Sequence, residues 1–415
     1  MSEPAGFERI LQPITIKGVK LRNRIAMAPL HTGFMQGPQV SEQLIAYYAE
    51  RARNGVGMIV TSPVSGAVIP GMPQPPPLSS PAHVPGWNEL VETVHAFGAR
   101  VFIQLMPGVG RQAARGLPTK APSPLPLRIP PENLPAKAAA FARRKKLGNV
   151  WEPLMEGEIP VELTLAEIET AEDSYAVSAR LSQRCGADGV ELHFAHGYLG
   201  YSFLSPRTNF REDAYGDSFE NRSRFLLNVL AKVRREVGDE FVVGIRISGN
   251  ERMPGGLDTE ETVRMLADAE RAGLDFVHLT DGCFEAAKWY LPDEDGTMLE
   301  AAAAVKAALD IPVVTPSIHN PVSAELAVAD GKTDMVSLGR SILADSAWVT
   351  KVAEGRPNKI VKCIRCLTCL RRTRNGLHIR CEVNPRLGAE RYFPENYRVN
   401  APHPKSLYYP GARPA

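Results

Sequence analysis

Residues 189–247 read GVELHFAHGYLGYSFLSPRTNFREDAYGDSFENRSRFLLNVLAKVRREVGDEFVVGIRI. A short apolar run, Gly189–His193, passes through a polar loop into an amphipathic segment, and a second apolar run, Val242–Ile247, follows. Continuous apolar runs of this length, separated by a helical segment, are the pattern of a β-α-β unit whose strands are covered on both faces. The same alternation extends outward in both directions. Arg24–Ala28, Gly57–Ser62 and Arg100–Leu105 precede the unit, and Phe276–Thr280, Pro312–Thr315 and Met335–Leu338 follow it, each with a helical segment before the next. Eight units in roughly 340 residues fit a closed barrel better than an open doubly wound sheet, and no G-x-G-x-x-G turn stands behind the first strand. The expected fold is therefore α/β, a (β/α)8 TIM barrel.

Two segments break the rhythm. Met106 to about Leu163 is proline-rich without a clean period and reads as a long excursion after the third strand, with one helix in AKAAAFARRKK. Past Gly355 the alternation stops, so the barrel is assigned to residues 1–355 and a cysteine-rich segment with a proline-rich tail to 356–415. The tail reads as a strap or a linker stub.

The chain has 415 residues, enough for a sizeable core, and 48 basic against 46 acidic residues leave a net charge of +2. That balance carries neither a nucleic-acid footprint nor strong membrane attraction. MSEPAGFERILQP lacks a basic segment followed by an apolar core, and no apolar run approaches about 20 residues, so neither export nor membrane spanning is expected and the cytoplasm is the expected location.

In a barrel of this kind the reactive groups stand at the carboxyl ends of the strands. There, after the fourth strand, His193, His196 and Tyr198 offer two donors for a carbonyl oxygen and a phenol able to deliver a proton. Two histidines three apart are also common as hydrogen-bonded structural residues or metal ligands.

HFAHGYL, FLSPRTN, DAYGDSFENRSRF and VGIRIS resemble the signature of the Old Yellow Enzyme (NADH:flavin oxidoreductase) family, and IKGVKLRNRIAMAPLHTG resembles its first strand and lead-in. With the cysteine motif below, the resemblance covers about residues 7 to 388 and is nearest the iron–sulfur branch containing 2,4-dienoyl-CoA reductase and trimethylamine dehydrogenase. It implies an FMN-dependent oxidoreductase, an ene-reductase or dehydrogenase acting on an α,β-unsaturated carbonyl or enoyl-CoA compound. His193 and His196 then resemble the pair that polarises the carbonyl, and Tyr198 the proton donor. Arg246 resembles the arginine beside the flavin N1 and O2 edge, where a cation favours the reduced anionic ring, although a rim salt bridge is its plain structural reading. Pro29, Leu30 and His31 resemble residues beside the isoalloxazine, and Gln104 the glutamine on its pyrimidine part. His31 stands where trimethylamine dehydrogenase has its flavin-linked cysteine, so that linkage is expected to be absent. Ser317, Gly339 and Arg340, in VVTPSIHNP and SLGRSILAD, resemble the loops that hold the FMN phosphate.

The chain departs from the family in QLMPGVGR, with Pro107 in place of a histidine and one extra residue before Arg111. TDGCFEAAKWY places Glu285, or Phe284, where dienoyl-CoA reductase has a second catalytic histidine; Glu285 reads as a base, as a partner for an amine cation, or as a solvated loop carboxylate.

Four of the six cysteines fall in 19 residues: Cys363, Cys366 and Cys369 are separated by two residues each, and Cys381 follows after eleven more. Such spacing lets four thiolates enclose a cubane, and it also suits tetrahedral zinc. The resemblance implies a 4Fe-4S cluster. Cys185 and Cys283 lie outside this set and read as small buried residues.

The tail KSLYYPGARPA holds no dinucleotide fingerprint, so electrons, including those of NAD(P)H, are expected to pass through a separate reductase or carrier partner. The expected substrate is an enone, an enoyl-CoA or an amine. The alternatives are an amine dehydrogenase or N-demethylase, and an electron-transfer subunit with a vestigial pocket. Residues 111–146 carry nine lysines and arginines against one acid, Glu132, a local charge of +8. That loop would attract a phosphorylated handle or an acidic partner, or else is solvated or contacts another subunit of a homo-oligomer.

Overall fold

A computed structural model describes residues 6–35, 37–147 and 155–392; the proline-rich tail beyond lies outside the described residues. Eight parallel strands close into a barrel: β1 (Ile25–Met27), β2 (Met58–Val60), β3 (Arg100–Leu105), β4 (Gly189–Phe194), β5 (Val242–Ser248), β6 (Phe276–Thr280), β7 (Val313–Pro316) and β8 (Met335–Leu338). Each strand pairs with the next in sequence, and β8 returns to β1 through Val336 opposite Ile25 and Leu338 opposite Met27. The eight apolar runs of the sequence are these strands.

Eight helices cover the barrel: α1 (Glu42–Arg53), α2 (Val84–Ala96), α3 (Leu165–Arg184), α4 (Phe219–Val237), α5 (Thr259–Arg271), α6 (Leu299–Ala308), α7 (Pro321–Ala329) and α8 (Trp348–Ala353). Their starts are chemically marked. Ser41, Ser218 and Asp258 accept from backbone N–H groups of the first turns of α1, α4 and α5, and Thr164 with Glu167 closes a capping box on α3.

The amino end of the barrel is filled with side chains. Phe102 and Phe276 meet edge to face with ring centroids 5.5 Å apart, and the hairpin Ile14–Ile16/Val19–Leu21 adds Ile16 and Leu21 to the same buried cluster. Gly244 faces this cluster: a Cβ there would lie 2.0 Å from the Phe276 ring. The barrel is thus closed at one end, and only its carboxyl end is available to chemistry.

The excursion after β3 folds over that end. Lys120–Ala121 pairs in parallel with Val161–Glu162, and the expected helix spans Ala136–Arg144. Its Ala138, with Leu134 and Met155, packs against Leu367 and Leu370 of the cysteine-rich segment. That segment is tied back to the barrel by Ile379 N donating to Thr32 O at 2.9 Å and by Arg51 paired with Glu390 at 2.6 Å. No helix among the described residues is long and apolar enough to cross a membrane.

Candidate active site

The loops at the carboxyl ends of the strands enclose a cavity of about 440 Å³. Pro29, Leu30 and His31 beyond β1, Gln104 on β3, His193, His196 and Tyr198 from β4 and its loop, Arg246 on β5, Ser317 beyond β7, and Gly339 and Arg340 beyond β8 all line it. Residues scattered over more than 300 positions therefore share one chamber because each stands at a strand end.

The histidines are close-set and neutral. The His193 ring centroid is 5.6 Å from that of His196 and 5.1 Å from that of Tyr198. Burial pushes His193 down to about 4, and burial, reinforced by His193 and Arg246, holds His196 well below the usual histidine range. His193 Nδ1 accepts from Ala195 N at 3.4 Å, which assigns its proton to Nε2. His196 Nε2 lies 3.0 Å from Thr280 Oγ1. The His196 backbone, at φ 62, is fixed by its carbonyl accepting from Gln112 Nε2 at 3.0 Å and its N–H donating to Ser248 Oγ at 3.1 Å. A non-glycine residue in the left-handed region needs such anchoring, and functional sites are where it recurs.

Arg246 is set by a buried chain that the sequence reading missed. Glu191 Oε1 accepts from Gln104 Nε2 at 2.7 Å, Glu191 Oε2 lies 2.6 Å from His278 Nδ1, and His278 Nε2 meets both Arg246 and Ser337. Arg246 is thus an interior cation with its counter-charge one imidazole away, rather than a rim salt bridge. Around the cavity several buried polar nitrogens lack a partner among the described residues: Arg246 Nε, Arg340 Nη1 and His319 Nε2. His319, another cavity residue, stands in the VVTPSIHNP loop, where the resemblance pointed to the stretch without singling it out.

Glu285 is corrected. It is neither a solvated carboxylate nor a lining residue of the cavity, but only 3 % exposed. Arg111 reaches it from the excursion with two bonds of 2.7 and 3.0 Å, and Arg207 completes the pair. Burial would raise the Glu285 carboxyl, but the two guanidiniums bring it below the ordinary carboxylate value. The neighbouring Phe284 is the residue that lines the cavity. Arg111 is hence a structural cation, and Arg115, Lys120 and Lys137 also have acidic-residue partners, while Arg115 and Lys137 remain exposed together with Arg128 and Arg143–Lys146.

None of the cysteines is in a disulfide. Burial, followed by the neighbouring Cys363, Cys366 and Cys381, pushes the Cys369 thiol up to about 12, so the four sulfurs lie within one another's field. Cys369 also lines the cavity. Among the described residues no three His, Cys, Asp or Glu side chains converge closely enough to hold a single metal ion. One further residue of this segment enters the chamber: Arg374 Nη2 donates to Tyr198 Oη at 2.7 Å.

The sequence profile of the NADH:flavin oxidoreductase / NADH oxidase family matches residues 9–359. The chain is 35% identical to an NADH oxidase of Thermoanaerobacter brockii over 99% of its own length and 60% of that protein's. It is 30% identical to a cinnamate reductase of Clostridium sporogenes (93% of this chain, 59% of the relative) and 31% identical to an N,N-dimethylglycine/sarcosine dehydrogenase of Chromohalobacter salexigens (91% and 53%). The chain thus spans little more than half the length of these relatives. Among solved structures, a 2-naphthoyl-CoA reductase in complex with 2-naphthoyl-CoA superposes with a TM-score of 0.78 at 29% identity (92% of this chain, 58% of that one). An old yellow enzyme homologue from Zymomonas mobilis gives 0.66 at 27% (84% and 93%).

Proposed function

The chain belongs to the NADH:flavin oxidoreductase / NADH oxidase family, and from that premise we propose that it is an FMN- and iron–sulfur-dependent ene-reductase acting on an α,β-unsaturated carbonyl compound. It is a flavin-dependent oxidoreductase. The observation that carries the finer reading is the convergence of His193, His196 and Tyr198 in the same chamber as Arg246 and Arg340.

The residues present fit the cofactors. Arg340 Nη1 is a buried donor without an acceptor and His319 Nε2 a buried nitrogen without a partner, a costly state that a phosphate relieves, and Ser317 lines the same chamber. Arg246 Nε is a second such donor and would meet the flavin ring. Cys363, Cys366, Cys369 and Cys381 offer an all-thiolate set suited to a 4Fe-4S cluster. When bound, FMN supplies hydride exchange with carbon and the cluster supplies single-electron transfer.

The chain's own residues then act on the substrate. As hydride reaches the β-carbon, negative charge builds on the carbonyl oxygen, and the neutral imidazoles of His193 and His196 donate to it. Tyr198 Oη gives a proton to the α-carbon, so the double bond gains one hydride and one proton. The amine-dehydrogenase reading is disfavoured by the electrostatics. Arg246, Arg340 and Arg374 all line the chamber, whereas Glu156, the one carboxylate lining it among the described residues, has a 63 % exposed side chain. An intact, donor-lined chamber also favours a working pocket over a vestigial one.

Electrons from NAD(P)H enter through a partner with an acidic surface. Residues 356–392 carry ten lysines and arginines against two glutamates, and Lys359 and Lys362 are exposed beside the cysteines. Anaerobic titration of the reduced holoenzyme with a cyclic enone and an enoyl thioester, and of the oxidised holoenzyme with a methylated amine, tests the reading. Flavin oxidation by the unsaturated compounds is expected; flavin reduction by the amine instead, or no response to any of them, overturns it.

A further inference from the structure

Arg374 ends the short helix Thr368–Arg374, five residues beyond Cys369, yet its guanidinium lies in the substrate chamber. Its Nη2 bonds Tyr198 Oη at 2.7 Å, and its guanidinium carbon sits 4.1 Å from the Phe284 ring centroid. The head is therefore held between a phenol and an aromatic face. What it lacks is a carboxylate. Four arginines nearby have acidic partners, Arg111 and Arg207 on Glu285, Arg252 on Asp281 and Arg365 on Asp295, whereas Arg374, like Arg246 and Arg340 of the same chamber, has none among the described residues. Among the described residues Arg374 has no ion pair, and one bond to a neutral phenol leaves most of its five donors for something else.

Its charge is felt inside. Arg374 is among the groups, after burial, that hold His31 and His196 below the usual histidine range. A guanidinium held in place matches the planar fork of a carboxylate far better than a neutral carbonyl.

We propose that Arg374 is an anion-binding, specificity-determining residue, and that the substrates it selects are α,β-unsaturated compounds bearing a free carboxylate, in preference to neutral enones, esters or amides. The inference rests on the ene-reductase reading and narrows it. An unsaturated acid carries its carboxylate one bond from the carbon that Tyr198 protonates, and the Tyr198–Arg374 bond links the two groups that such a substrate must meet together. The cysteine-rich segment thereby contributes a wall of the substrate site as well as the thiolates.

The test compares a 3-arylacrylate with its primary amide, a neutral isostere, each titrated into oxidised holoenzyme and followed by perturbation of the flavin absorption, which reads binding without turnover. The wild-type protein is expected to bind the acid at least roughly tenfold more tightly than the amide. R374Q is expected to weaken the acid by roughly 10- to 100-fold and leave the amide within about twofold, with R374K between wild type and R374Q. Equal affinity for acid and amide in the wild-type protein, a comparison that needs no variant, overturns the inference, as does an equal loss of both ligands in R374Q. If a cyclic enone still oxidises the flavin, that failure is confined to Arg374; if no unsaturated compound does, the ene-reductase reading itself has failed.

Discussion

Glu191 Oε2 and His278 Nδ1 lie 2.6 Å apart in the barrel interior, both side chains wholly inaccessible to solvent. Burial alone would raise the Glu191 carboxyl, but His278, Arg246 and the Gln104 bond bring it below the ordinary value. Burial, with Arg246, pushes His278 down to about 4. The pair is therefore carboxylate and neutral imidazole: His278 donates through Nδ1 and accepts from Arg246 through Nε2. This fixes the guanidinium proposed to meet the flavin. Glu191→Ala removes the buried carboxylate that balances Arg246 and is expected to cost about 3–5 kcal/mol of stability, with flavin released more readily. Denaturant unfolding and flavin fluorescence measure both; unchanged flavin affinity would show that Arg246 is positioned some other way.

Acid should destabilise the protein through its buried histidines. His193 and His278 have folded values of about 4 against an ordinary 6.5. Below 6.5 the unfolded chain takes up protons that the folded chain refuses, so stability is present above that pH and is lost as pH falls towards about 4. Each histidine contributes a slope of about 1.4 kcal/mol per pH unit in that window. Because His193 stays neutral through it, the profile of kcat/KM should show no histidine titration near 6.5. An inflection there that disappears in His193→Asn would contradict the depressed value.

Tyr198→Phe keeps the ring against His193 and Phe284 and removes only the hydroxyl. Rapid-mixing measurement of flavin reoxidation by an enone should show the step slowed by roughly 100- to 10,000-fold, with substrate affinity little changed. Undiminished reoxidation would mean that another group, or water, delivers the proton.

The barrel was legible because each strand is buried on both faces and so leaves a continuous apolar run, and because strand ends bring His31, Gln104, His193, Arg246 and Arg340 together whatever their separation in sequence. What failed was anything decided by the excursion or by the cysteine-rich segment folding back. Glu285 reads as a loop carboxylate until Arg111 arrives from 174 residues away. In QLMPGVGR, Gly110 stands at φ 58, where a Cβ would lie 2.9 Å from the Leu199 backbone, and it precedes the buried Arg111. Arg374 carries no periodic or motif signal in RRTR; only its place after the cysteine triplet hints at it. The Glu191–His278 chain was hidden because polar residues inside apolar strands read as interruptions rather than as partners.

Glu285→Ala is expected to leave Arg111 and Arg207 buried without their shared carboxylate and to lower stability by about 3–5 kcal/mol. If Glu285 were instead a catalytic base, the loss would fall on turnover, with the unfolding midpoint hardly moved. Comparing the two measurements on one variant separates the roles.

The proposed cluster makes a compositional prediction for Cys363, Cys366, Cys369 and Cys381, whose sulfurs lie within one another's field. Anaerobically purified protein should therefore yield iron and acid-labile sulfide in equal amounts, and a broad absorption beneath the flavin bands. Cys381→Ala should lose the iron and that absorption but keep the flavin, since Arg246, Arg340 and His319 lie outside the four-cysteine set. Zinc in place of iron, or iron retained at full occupancy in the variant, would remove the cluster from the proposed function and leave electron entry to the flavin alone.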